Sequence, residues 1–143
     1  MATTAQYTAQ PIVESFSAVN TTDTSRSAPT TTTALAAGPT TAAGNGVGKR
    51  INKVTVTEVN AAGAGVANVI RFWIEPSGSS TKYLMVEKAP TSITSSSTAI
   101  GYRTEIPELV GLILPGAASD PAQLYFSAHL NASYHITIES GLL

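Results

Sequence analysis

Few residues of this chain are of the types that do chemistry, and they are scattered. His129 and His135 are the only histidines, and cysteine is absent, which excludes disulfides and thiolate catalysis. By strand parity both imidazoles point away from the neighbouring apolar positions, and they would share a surface if their strands form a hairpin around Asn131. A stable zinc site has three or four protein ligands. The two histidines therefore predict no metal site, and we interpret them as solvated or interface residues.

Glu105 and Glu108 are the carboxylate pair that most suggests acid–base chemistry, of the kind used in glycoside hydrolysis. They flank Ile106 and Pro107 at the end of a predicted strand, where glutamate is typical of a solvated sheet edge. The abundant serines offer no alternative, because none lies in a Gly-x-Ser-x-Gly nucleophile elbow. The sequence thus predicts no catalytic residues, no cofactor site and a protein that is not an enzyme.

Three closely spaced glycines, Gly44, Gly46 and Gly48, resemble a phosphate-binding loop at first sight. Such a loop opens a helix and ends in Gly-Lys-Ser or Gly-Lys-Thr. Here Lys49 is followed by Arg50, and a strand pattern comes next. We interpret these glycines as a hinge.

Trp73 is the only tryptophan, and by parity it faces away from the apolar stripe of its strand. An outward aromatic residue of this kind, with Tyr83 or Tyr125, is able to stack on a sugar. The other interpretation, which we prefer, is that Trp73 packs under a second layer or under the N-terminal segment. A carbohydrate-binding module therefore remains an alternative function.

Apolar residues alternate with polar ones in the period of two that is typical of strands, and no segment predicts an amphipathic helix of three turns. Gly, Pro and Asn residues separate the segments. Six or seven such strands, with one or two more from the N-terminal part, predict an all-β protein: an antiparallel β-sandwich, jelly-roll-like. The predicted strands are 10–19, 29–35, 51–59, 66–75, 81–88, 99–106, 124–130 and 134–138. The predicted core residues are Val54, Val56, Ile70, Phe72, Ile74, Leu84, Val86, Ile100, Tyr102, Ile106, Leu124, Phe126, Ala128, Leu130, Tyr134, Ile136 and Ile138.

The composition changes at the glycines near residue 48. Residues 1–48 contain 12 Thr and 10 Ala but only three charged residues. We therefore predict an extended N-terminal arm, residues 1–48, and a β-sandwich body, residues 49–143. Threonine-rich sequence favours extended structure over helix, while a disordered tail is the alternative for an isolated subunit. We expect the body to fold without the arm, and the arm to become ordered on a partner.

Charge and hydropathy exclude several classes of partner. Only 17 of the 143 residues are charged, and the net charge is −1. The eight Lys and Arg residues form no cluster, so we expect no binding to nucleic acid. No apolar run approaches the roughly 20 residues that a membrane helix requires, and the N-terminus lacks the basic and apolar regions of a secretory signal. We expect no membrane partner.

Four stretches of the predicted body, 50–56, 65–74, 111–116 and 134–141, resemble small structural proteins of tailed bacteriophages. The resemblance covers roughly the last two thirds of the chain and contains strand and turn patterns without a catalytic motif. It implies that the chain is a virion component. Such components include head decoration or cement proteins, which form β-sandwich trimers on the capsid surface.

The resemblance thus implies a protein that stabilises the head by binding between subunits of the major capsid protein. It implies two partners, the major capsid protein and further copies of the chain itself in a homotrimer. The location implied is the capsid surface of the virion, after synthesis in the host cytoplasm. A tail or fibre component is the alternative within the same group.

Overall fold

Antiparallel strands make up this computed structural model, which describes residues 10–19, 21–40, 48–59, 68–90 and 101–143. The described residues form nine strands and one short 3-10 helix, Pro107–Leu109. The strands are β1 Gln10–Val19, β2 Thr33–Ala37, β3 Gly48–Glu58, β4 Ile70–Glu75, β5 Tyr83–Lys88, β6 Arg103–Glu105, β7 Ile113–Pro115, β8 Gln123–Ala128 and β9 Tyr134–Leu142. The predicted all-β class is confirmed.

The strands form two sheets. Sheet A has the order β1-β9-β3-β6, with β7 also paired to β3, and sheet B has the order β2-β8-β4-β5. Every pairing between these strands is antiparallel. One set of pairs is nested along the chain, β4 with β5, β3 with β6 and β7, β2 with β8, and β1 with β9, while β3 also pairs with β9 and β4 with β8. This arrangement is consistent with a β-sandwich, as the period-two pattern predicts.

A continuous apolar core includes residues from both sheets. At its centre, the ring of Phe126 on β8 makes edge contacts with Phe72 on β4 and with Tyr134 on β9, at centroid distances of 5.4 and 5.6 Å. The Tyr134 hydroxyl accepts a hydrogen bond from Asn68 Nδ2 at 3.0 Å, and burial raises the pKa of Tyr134 to about 12. Predicted core positions that are buried include Val54, Val56, Ile70, Phe72, Val86, Ile106, Leu124, Phe126, Ala128, Tyr134, Ile136 and Ile138.

The other predicted core positions are not among the fully buried residues, each for a local reason. Leu130 is 45% exposed, because β8 ends at Ala128 and the alternation ends with it. A register shift between β4 and β5 pairs Leu84 with Trp73, which aligns Leu84 with the outer face of sheet B. Ile74 is partly buried against the core, and Tyr102 is half-buried. Ile100 lies outside the described residues.

The N-terminal segment supplies one strand to each sheet. β1 is the outer strand of sheet A beside β9, and β2 is the outer strand of sheet B beside β8. Leu35 and Ala36 on β2 are 6% and 0% exposed and belong to the core cluster. The predicted arm, residues 1–48 as a unit separate from the body, is thus not confirmed, because its described strands are paired in the sandwich.

Gly48 begins β3, and packing accounts for its lack of a side chain. A Cβ atom at this position would lie 2.5 Å from Cγ2 of Ile113 on the neighbouring β7. Gly44 and Gly46, the other glycines of the predicted hinge, lie outside the described residues. Gly48 itself is a strand residue that allows two strands to approach closely.

Candidate functional site

The structure separates the two histidines. His129 follows β8 in sheet B and His135 lies on β9 in sheet A, so their strands form no hairpin. The condition on which a shared surface depended, a hairpin between these two strands, is therefore not met. His135 is exposed, whereas His129 is half-buried. The backbone N–H of His129 donates to the Val69 carbonyl at 2.8 Å. Among the described residues, no group of three or more His, Cys, Asp or Glu side chains is placed to hold a metal ion.

The two candidate carboxylates are exposed and bind different lysines. Glu105 lies 3.0 Å from Nζ of Lys53, while Glu108 forms an ion pair with Lys88. The hydrogen bond from Lys88 holds the pKa of Glu108 below its usual value. A general acid needs its pKa raised instead, so this pair has the electrostatics of surface ion pairs.

The three aromatic residues of the sugar-binding alternative have different environments. Trp73 is fully buried outside the apolar core cluster, and its Nε1 donates to Ser127 Oγ at 2.9 Å. The ring of Tyr125 is covered on one face by Nζ of Lys82, 4.4 Å from the centroid. Tyr83 is 54% exposed. Of the three, Tyr83 alone offers an open ring.

A loop of residues 21–32, here called the cover loop, crosses the outer face of sheet B. Near its start, the N–H of Asp23 donates to the backbone of β8 at 2.8 Å. Farther along, Arg26 Nη2 lies 2.8 Å from Glu87 Oε2 on β5. Because β8, β4 and β5 are consecutive in the sheet, the loop passes over β4. We infer that this loop buries Trp73, which lies on that face of β4.

The cover loop is closed on itself by the carboxylate of Asp23, which is only 7% exposed. It accepts hydrogen bonds of 2.7 Å from the N–H groups of Ser25, Thr30 and Thr31, and a fourth of 3.2 Å from the Thr30 hydroxyl. Burial alone would raise the pKa of Asp23, but these hydrogen bonds outweigh it and lower the pKa below the usual value. The loop is thus built around an ionised aspartate.

An arginine that is almost completely buried attaches the loop to the sheet. Arg71 on β4 is 3% exposed; its Nε lies 2.9 Å from Glu87 Oε1 and its Nη1 donates to the Asp23 carbonyl at 3.0 Å. The second oxygen of Glu87 binds Arg26. Burial would raise the pKa of Glu87, but the hydrogen bonds from the two arginines lower it. The carboxylate of Glu87 therefore forms ion pairs with two guanidinium groups, those of Arg26 and Arg71.

A cleft of about 470 Å³ opens beside the cover loop, where β4 begins and β5 and β8 end. The sequence predicts an outward Arg71 but gives no sign of this cleft, because its walls come from four separate segments. The lining residues are Arg26, Val69, Arg71, Glu87, Lys88, Ala89 and His129.

The outer face of sheet A carries a different surface, on which a row of hydroxyl side chains lies beside charged ones such as the Lys53–Glu105 ion pair. Ser15, Thr137 and Thr55 lie side by side across β1, β9 and β3. Val13, 67% exposed, lies two residues from Ser15 on β1, and Ile113, 44% exposed, lies farther along the sheet beside Arg50. The hydroxyl row and the exposed Val13 are the part of this face whose small side chains suit packing against another protein.

No family model, curated protein or solved structure matches this chain. The fold class of the chain is therefore assigned from the structure alone, which has two antiparallel sheets with a loop across one outer face. Within the described ranges, no helix is long and apolar enough to cross a membrane.

Replacing Asp23 with Asn should destabilise the protein at pH 7 by about 1–3 kcal/mol. The substitution removes hydrogen bonds to an ionised group, and the NH2 group of Asn would face backbone N–H groups from which it cannot accept a hydrogen bond. The folded pKa of Asp23 is lowered, so this stabilisation is complete above the unfolded pKa of about 3.9 and disappears as the pH falls through the folded pKa. Urea unfolding followed by Trp73 fluorescence at several pH values measures the difference.

The matched control for this variant is Asp120→Asn, at an exposed turn residue with a φ of 58°. Asparagine tolerates that left-handed conformation well, so the control should change stability by less than about 0.5 kcal/mol. An Asp23→Asn penalty of the same size at pH 3 and pH 7 would contradict the role assigned to the ionised carboxylate.

Proposed function

We propose that this chain is a jelly roll that serves as a decoration or cement protein of a tailed-bacteriophage head. The nested pairing of the strands carries the proposal. Without the short β7, eight strands divide equally into the orders β1-β9-β3-β6 and β2-β8-β4-β5. A jelly roll has eight strands in two such sheets, and viral capsid and lectin domains commonly use it.

The sequence resemblance favours the capsid role over the lectin role. Its stretches 50–56 and 134–141 fall on β3 and β9, which are adjacent in sheet A. The stretch 65–74 ends in β4, and 111–116 contains β7. In their described parts, the stretches that carry the resemblance therefore include strands of both sheets.

In this proposal the outer face of sheet A is the contact surface for the major capsid protein or for neighbouring copies in a homotrimer. Serine and threonine lose less side-chain entropy on burial than long polar residues do. The exposed Val13 and Ile113 add apolar area, and copies repeated on a lattice make individually weak contacts additive. Any arm that reaches a neighbouring subunit would have to be shorter than residues 1–48, because β1 and β2 are sheet strands.

Quantitative mass spectrometry of purified phage particles that carry this chain tests the proposal. We expect it in copy numbers comparable to those of the major capsid protein, and we expect particles that lack it to have heads less stable to heat. A few copies per particle, found with the tail, would contradict the decoration role and support the tail or fibre alternative.

The carbohydrate-binding alternative has less support from the geometry. Trp73 is buried and Tyr125 lies under Lys82, so Tyr83 would have to act alone among the three aromatics proposed to stack on a sugar. A glycan array probed with the recombinant protein separates the two functions. Saturable binding that is lost in Tyr83→Ala would favour a lectin role over the capsid role.

A further inference from the structure

The cleft beside the cover loop contains two guanidinium groups that share one carboxylate. Glu87 Oε2 lies 2.8 Å from Arg26 Nη2, and Glu87 Oε1 lies 2.9 Å from Arg71 Nε. Arg71 is 3% exposed, and a cation removed from water is costly unless its charge is compensated. Since one carboxylate compensates one cation, this trio retains one positive charge.

Among the lining residues no other group cancels this charge, and the ionised carboxylate of Asp23, which binds backbone N–H groups of the cover loop, lies outside the lining. Lys88 lines the cleft and is paired with Glu108, which lies outside the lining. His129 adds a polar ring, while Val69 and Ala89 add small apolar surfaces. The wall thus combines surplus positive charge with a short apolar strip.

Both arginines retain hydrogen-bond donors. Arg26 is exposed and binds Glu87 through Nη2, and among the described residues its other nitrogens have no partner. Arg71 uses Nε and Nη1, and its Nη2 has no partner within the described ranges. Guanidinium groups with free N–H donors suit the two oxygens of a carboxylate.

We propose that this cleft binds a small organic carboxylate. Its oxygens lie between Arg26 and Arg71, and its carbon atoms contact Val69 and Ala89. The cleft volume of about 470 Å³ falls within the range of about 300–1,000 Å³ found for small-molecule sites. This site is independent of the proposed role in the virion.

An NMR titration of the full chain with sodium butanoate, at ionic strength held constant with chloride, tests the proposal. We expect saturable shifts of the Val69, Ala89 and His129 amides, with a dissociation constant of roughly millimolar order for so small a ligand. Acetate should bind at least about threefold more weakly, because it has the same carboxylate but too short a chain to contact the apolar strip. Equal affinity for acetate, or no saturable shift at these amides, would overturn the proposal.

Two variants at the cleft should have opposite effects on butanoate affinity. Arg26→Gln should weaken binding about tenfold, because it removes a charge-assisted hydrogen bond. Glu87→Gln should strengthen binding by about threefold or more, because Glu87 competes for both guanidinium groups. Lys53→Gln and Glu105→Gln, an ion pair on sheet A, make the same charge changes elsewhere and should leave the affinity unchanged. Control variants that shift the affinity as much as the cleft variants would show a general charge effect and reject the site.

Discussion

Deletion of residues 1–44 should leave a chain that does not fold, although the composition predicts a separable arm. The deletion removes β1 and β2, the outer strand of each sheet, and takes Leu35 and Ala36 out of the core. It also removes the cover loop, which leaves Trp73 open to water. Each large apolar side chain that loses its burial lowers the free energy of unfolding by about 1.5–3 kcal/mol. The whole free energy of unfolding of a domain is only about 5–15 kcal/mol.

Circular dichroism and two-dimensional NMR of the truncated chain measure this result. The matched control is deletion of residues 1–9, which keeps every described strand and should leave a cooperative thermal transition close to that of the full chain. A truncated chain of residues 45–143 with native-like spectra and a cooperative transition would contradict the prediction and restore the separate arm.

The period-two pattern predicts which segments are strands, but it does not predict which strands pair. β3, β8 and β9 were all predictable, because large apolar residues alternate with polar ones along each of them. Their partners are distant in sequence: β1 pairs with β9 and β2 with β8. Residues 1–48 were interpreted as an arm because their composition alone distinguishes them. Composition does not predict that β1 pairs with the edge of β9, or that β2 pairs with the edge of β8.

The candidate site was less predictable than the fold. Parity predicts that Arg71 and Trp73 point outward, and it cannot show what lies above them, because residues 21–32 have no periodic pattern. The contact between Arg26 and Glu87 joins residues 61 positions apart. In a chain with only 17 charged residues, an outward arginine on the same strand as the only tryptophan indicates an unusual outer face of sheet B, but it does not indicate the cleft beside that face.

Phe126→Ala should cost about 3–5 kcal/mol of unfolding free energy, the range observed when a buried phenylalanine is truncated. Phe126 is fully buried and contacts Phe72 in its own sheet and Tyr134 in the other sheet, both with ring edges toward faces. The substitution removes both ring contacts and leaves a cavity where the two sheets meet. Urea unfolding at pH 7 measures the loss.

Two further variants determine whether the loss reflects the ring cluster or only the lost volume. Phe126→Leu fills most of the cavity but makes no ring contacts, so it should cost less than Phe126→Ala and still more than the roughly 0.5 kcal/mol expected of Val13→Ala at an exposed position. Equal stability of Phe126→Leu and the unchanged protein would show that apolar volume alone holds the sheets together. A Phe126→Ala loss no larger than that of Val13→Ala would contradict the placement of Phe126 at the junction of the sheets. A Phe126→Leu loss above about 1.5 kcal/mol, the usual upper limit for swaps between apolar side chains of similar size, would mean that edge contacts between rings stabilise the sandwich beyond the burial of apolar area.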